Sequence, residues 1–224
     1  MSDSAMHKYL EELEEKFMNG ELDEEEKSKK SGTLLLHLVF DKSYPTGGFS
    51  GLEECIKNSI AKINDICIEE KALRYLQVAI TDFGSRLNIQ PFAYRESIDA
   101  NAYMADQTQS RVYDAVIESA LYMCSQYDEL IDECRVRAFM FVFTDGEDNG
   151  SKNSLQDMKK AIKELRKRDI VLFPILFKGA DSNQLSNIFG SEPVNIDGLY
   201  EIRRRLRLHD WTTSKVFYLK RERN

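Results

Sequence analysis

Residues 136–150 read Val136-Arg137-Ala138-Phe139-Met140-Phe141-Val142-Phe143-Thr144-Asp145-Gly146-Glu147-Asp148-Asn149-Gly150. A nearly unbroken apolar run that empties into a polar, glycine-bearing loop is the pattern of a parallel strand buried on both faces. Its apolarity marks this strand, taken over 136–144, as central. The same design stands a hundred residues earlier. Thr33–Asp41 (TLLLHLVFD) ends in an acid and runs into Lys42-Ser43-Tyr44-Pro45-Thr46-Gly47-Gly48. Around this pair the pattern alternates. Leu73–Asp82, Arg86–Phe92, Ile170–Phe177 and Val194–Ile196 read as strands, the second an edge because Pro91 cannot donate to a ladder. Ser50–Glu69, Arg111–Tyr127, Asn153–Arg168, Asn183–Phe189 and Leu199–Leu208 carry apolar residues at helical spacing. Strand–helix alternation of this kind predicts an α/β sheet with helices on both faces.

Charge divides the chain. Of the net −7, −5 falls in residues 1–30, where ten acids meet five bases. Tyr9, Leu10, Leu13, Phe17 and Met18 form a helical stripe there, and residues 21–30 read as a flexible acidic link. The expected organisation is an acidic N-terminal helix and linker over 1–30, one domain over 31–217, and a basic tail over 218–224. The basic end is short of interleaved aromatics, having Trp211, Phe217 and Tyr218. It therefore reads as a solvated face rather than a nucleic-acid surface. At 224 residues, 42% hydrophobic and 31% charged, the chain has the composition of a globular protein and not of a disordered one. No apolar run approaches the ~20 residues of a spanning helix. The N-terminus lacks the apolar core of a secretory signal. Cys55, Cys67, Cys124 and Cys134 show no C-x-x-C spacing, so reduced thiols and a cytoplasmic location are expected.

Ligands of open α/β sheets bind beyond the carboxyl ends of strands, where the strand order reverses. Two strands here each deliver an aspartate at that end, Asp41 and Asp145. Two neighbouring carboxylates repel unless a cation lies between them. Ser43 adds a neutral hydroxyl two residues after the first acid. A few hard oxygen ligands with positions left for water suit Mg²⁺.

These loops resemble those of the von Willebrand factor A domain family. In that family a metal-ion-dependent adhesion site takes an Asp-x-Ser-x-Ser loop, a Thr from a second loop and an Asp from a Thr-Asp-Gly loop. Asp41 and Ser43 match the first loop and Thr144-Asp145-Gly146 the last. Ser110-Arg111-Val112-Tyr113-Asp114-Ala115 matches the second, with Ser110 in place of Thr. Pro45 stands where the family has its second Ser, and Thr46 is the alternative hydroxyl. The resemblance implies a Rossmann-like fold, with a mostly parallel central sheet, one antiparallel edge strand and helices on both faces. It implies metal ligation by Asp41, Ser43, Ser110 and Asp145, holding Mg²⁺ or else Mn²⁺ or Ca²⁺. It also implies a protein partner that completes the metal with an acidic side chain, and no enzymatic activity, membrane or nucleic acid. Ala79-Ile80-Thr81-Asp82-Phe83-Gly84-Ser85, Ile196-Asp197-Gly198-Leu199 and Leu208-His209-Asp210-Trp211-Thr212-Thr213-Ser214 are similar to the tellurium-resistance TerY-type branch. That branch implies a stress-response assembly.

Two alternatives stand beside this reading. Asp41-Lys42-Ser43 with Thr144-Asp145-Gly146-Glu147-Asp148-Asn149 also resembles haloacid-dehalogenase-like phosphatases, which would make Asp41 a nucleophile on phosphate with Mg²⁺. Ser43 replaces that group's second acid. A scaffold that has lost its metal is the other, because of Pro45. Glu147-Asp148-Asn149-Gly150 reads as a turn. His37, inside a buried strand, reads as a core histidine with its hydrogen bonds met.

Overall fold

The computed structural model describes residues 32–43, 57–63, 65, 76–94, 107–176 and 181–195. The acidic head and link, the basic tail, Pro45, Thr46, Cys55, Cys67 and the helix expected at 199–208 lie outside the described residues. Strands β1 (Gly32–Asp41), β2 (Leu76–Phe83), β3 (Leu87–Tyr94), β4 (Arg135–Phe143), β5 (Val171–Leu176) and β6 (Val194–Asn195) form one sheet in the order β3-β2-β1-β4-β5-β6. Every pairing is parallel except β2 with β3. The mostly parallel sheet with an antiparallel edge is thus present. Pro91 falls where the β2–β3 register shifts, the irregular place in which a residue without an N–H is tolerated.

Side chains alternate between the faces of a strand. Every residue from Thr33 to Asp41 is buried, so the sheet is covered on both sides of β1. A helical stretch at 57–63 (α1) contributes buried Ile60 and Ile63. Helix α2 (Val112–Leu130) packs along α3 (Leu155–Lys167) and against β1, β2 and β4. Helix α3 turns Met158, Ala161, Ile162 and Leu165 inward at i, i+3, i+4 and i+7. Helix α4 (Ser182–Phe189) buries Leu185, Ile188 and Phe189. Cys124 and Cys134 are free thiols.

Topology places the site. From β1 the chain steps through β2 to β3 on one side, then crosses to β4 on the other. The order therefore reverses between β1 and β4, whose exits lie level, with Phe40 beside Phe143. Beyond shifts of a residue or two at other element ends, these details differ from the sequence expectation. Strand β4 ends at Phe143, which puts Thr144 in the loop. Helix α2 runs on to Leu130, because Tyr127 and Leu130 still pack on the core. His37 is only half satisfied among the described residues: Nε2 pairs with Thr81 Oγ1 at 2.8 Å, while the buried Nδ1 has no hydrogen-bond partner among them. Aromatic rings of Phe92 and Tyr122 stand edge-on to the imidazole and supply no acceptor for it.

Candidate metal centre

Asp41 closes β1 fully buried. Its Oδ1 accepts the Ser43 N–H at 2.9 Å, an Asx turn that bends the chain sharply off the strand. Its Oδ2 accepts two hydroxyls from two different loops, Ser110 Oγ at 3.0 Å and Thr144 Oγ1 at 2.8 Å. Ser43 is buried and forms a parallel bridge with Gln107, so the first loop lies against the segment that leads to Ser110. Thr144 Oγ1 also accepts the Gly146 N–H at 3.1 Å. Asp145 turns the next corner in the same way as Asp41, accepting the Glu147 N–H at 2.9 Å. Gly146 has φ +88, and a Cβ there would stand 2.9 Å from Leu185, so only glycine lets this loop pass close over α4.

Electrostatics at this corner are unfavourable to two free carboxylates. Burial pushes the Asp41 carboxyl up to about 6; hydrogen bonds from Ser43 and Thr144 pull the other way, and the charge of Asp145 adds to the rise. Burial also raises Asp145, against the pull of its loop hydrogen bonds. A dication reverses that logic, because it lowers the cost of keeping both groups ionised. Among the described residues no three His, Cys, Asp or Glu side chains gather. The donors are two carboxylates and hydroxyls, the hard oxygen set that fits Mg²⁺, Mn²⁺ or Ca²⁺ rather than a thiolate or imidazole metal. The residues present fit a bound hard cation: Asp41 and Asp145 would carry its charge, and a serine hydroxyl keeps lone pairs after donating its proton.

The fold brings Ser43 and Ser110 each into contact with Asp41 and sets Asp145 near enough for its charge to act on Asp41. Sequence reasoning missed Thr144 as a site residue. The signal available was its place beside Asp145 at a strand exit level with that of Asp41. It also read Glu147–Gly150 as an ordinary turn. These residues form an irregular loop that bends at Asn149 and Gly150. Asn149 Oδ1 accepts the Ser110 N–H at 2.9 Å, while Asn149 N and Gly150 N donate to Ser110 O at 3.1 and 2.9 Å. The loop thus holds Ser110. Beside it, a cleft of about 670 Å³ opens between this loop and α4, lined by Tyr113, Glu147, Asn149, Asn183, Gln184 and Asn187 among others.

No curated protein sequence matches the chain. Solved structures do. The pilus adhesin SpaC from Lactobacillus rhamnosus GG, in an open conformation, aligns with a TM-score of 0.56 at 8% identity, over 79% of this chain and 30% of that one. Proximal thread matrix protein 1 from the mussel byssus aligns with a TM-score of 0.50 at 20% identity, over 79% and 46%. The same mussel protein with a zinc-occupied adhesion-site motif aligns at 0.48 and 18%, over 80% and 46%. This chain thus spans less than half the length of each, and at such identities the likeness speaks for the fold alone. The model of the von Willebrand factor type A domain matches residues 36–213, and the chain belongs to that family.

Proposed function

We propose that this domain binds a divalent cation through Asp41, Ser43, Ser110 and Asp145, with Thr144 bracing Asp41, and uses it to dock a protein partner. Mg²⁺ is the first choice and Mn²⁺ or Ca²⁺ the alternatives. Held by two carboxylates and neutral oxygens, such an ion keeps enough electrophilicity to take an acidic side chain from the partner. The observation that carries this reading is the convergence of two loops on one buried carboxylate oxygen, Ser110 Oγ and Thr144 Oγ1 on Asp41 Oδ2. The phosphatase alternative draws no support from this arrangement, which sets the hydroxyls of Ser110 and Thr144, and no second acid, in hydrogen-bond contact with Asp41. A binding role without covalent chemistry therefore fits the site. The finer assignment, to a cytoplasmic assembly like that of the tellurium-resistance TerY-type branch, rests on the short stretches around 79–85, 196–199 and 208–214. Among the described residues no helix is long and apolar enough to cross a membrane.

The test is thermal unfolding with and without metal. Mg²⁺ or Mn²⁺ at a hundredfold excess over its dissociation constant stabilises the fold by ~2.7 kcal/mol. Asp145→Ala abolishes that gain. A melting temperature that stays put with either ion at millimolar concentration rules the reading out.

A further inference from the structure

Helix α2 starts without a cap from its own segment, since Arg111 at the N-cap position makes no capping hydrogen bond. The first N–H groups of a helix have no partner inside it. Here they find partners in the loop after β4. Tyr113 N donates to Asp148 Oδ1 at 3.4 Å and Asp114 N to Ser151 Oγ at 3.1 Å, while Ser151 Oγ donates to Asp148 Oδ1 at 2.6 Å. Asp114 returns the bonds. Its Oδ1 accepts Asn153 N at 2.9 Å and Asn153 Nδ2 at 2.7 Å. Its Oδ2 accepts Lys152 N at 3.0 Å, Arg111 Nε at 3.1 Å and Arg111 Nη2 at 2.7 Å. The side chain is 1% exposed. Burial alone would raise its pKa, but the donors from Lys152, Asn153 and Arg111 prevail and bring it to about 2.

We propose that Asp114 is the positioning residue of the metal centre: it locks the 148–153 loop onto the first turn of α2 and so sets Ser110 against Asp41. The chain of contact is short. Asp114 holds Lys152 and Asn153; the same loop carries Asn149 and Gly150, which grip both the N–H and the C=O of Ser110. Gly150 belongs to the grip, because a Cβ there would come within 3.3 Å of the Ser110 carbonyl. Five donors converge on two oxygens, so a carboxylate is required. An amide at 114 would turn its own N–H₂ against N–H donors, whichever way it is flipped.

The lock exists without metal; its consequence for ligation rests on the reading above. Two measurements on the full chain separate them. The first is amide hydrogen exchange in chelator, comparing wild type with Asp114→Asn. The amides of Ser110, Asn149 and Gly150 exchange roughly tenfold faster in the variant, the equivalent of one lost hydrogen bond, while those of Phe141 and Val142 in β4 do not change. The second is Mn²⁺ affinity, which falls roughly ten- to hundredfold, as for other groups that orient a ligand without touching the metal. Unchanged exchange at Ser110 overturns the proposal. So does faster exchange with unchanged Mn²⁺ affinity, since the loop then has no hold on the site. Wild type that binds no Mn²⁺ refutes the metal reading, and the exchange result then decides the lock. Should Asp114→Asn fail to fold, Asn149→Ala carries the test at an exposed position. It removes the acceptor of the Ser110 N–H and is judged by the same two readouts.

Discussion

Two buried polar side chains carry opposite lessons about burial. Thr144 is fully buried, donates to Asp41 and accepts from Gly146 N. Thr144→Val keeps the shape and strips both bonds, leaving a buried carboxylate oxygen and a buried N–H short of a partner. Denaturant unfolding of the metal-free protein should show a loss of about 1–3 kcal/mol. His37 is buried with one nitrogen unpartnered among the described residues, and burial lowers its pKa to about 3 against an opposing pull from the Ser119 main chain. Its ordinary value is 6.5. Between those limits the unfolded chain takes up a proton that the folded chain refuses. Its contribution is therefore whole above pH 6.5 and is lost as pH falls toward 3, by up to about 1.4 kcal/mol per pH unit. Asp41 works the other way, because its folded value of about 6 lies above the ordinary 3.8. Its burial penalty is relieved as pH drops through that interval. Comparing the pH dependence of unfolding in wild type and His37→Gln isolates the histidine. The variant should lose stability less steeply below pH 6.5, and identical slopes would contradict this account.

Elements begin and end here for reasons that can be read locally in some cases and not in others. Helix α3 starts at a capping box: Ser154 Oγ accepts Asp157 N, and Asp157 Oδ2 accepts Ser154 N, both at 3.3 Å. Ser154→Ala removes it and should cost about 1 kcal/mol by thermal unfolding, with no change in metal response, since the cap serves the helix alone. Helix α4 carries the same kind of local signal, Asp181 at its start and Gly190 at φ 64 at its end. Helix α2 does not. Its capping groups are Asp148 and Ser151, 35 and 37 residues downstream, so no window around Arg111 could have revealed them.

At the scale of the whole molecule, the domain boundary is a proposal, set by the start of β1 at Gly32. We propose that the boundary lies near Ser31. Deleting residues 1–30 should leave the melting temperature nearly unchanged while altering binding or self-association, as seen by calorimetry and light scattering. A truncated chain that does not fold would show that the stripe Leu10, Leu13, Phe17 is part of the core.

The apolar runs 33–41 and 136–143 were enough to announce two central parallel strands, because burial on both faces leaves no room for alternation. Asp41, Ser43 and Asp145 were legible too, since each stands at or just after the exit of such a strand, and strand exits are where an α/β sheet binds. Ser110 was legible through the resemblance of its loop. What stayed hidden was the partnership among them. That Thr144 braces Asp41, that Asn149 grips Ser110, and that Asp114 ties the two loops together depends on the reversal of strand order between β1 and β4. The reversal brings segments 38 to 103 residues apart within hydrogen-bond reach. Hydrogen bonds act over about 3 Å in space and are indifferent to distance along the chain, so only the folded sheet decides which loops they join.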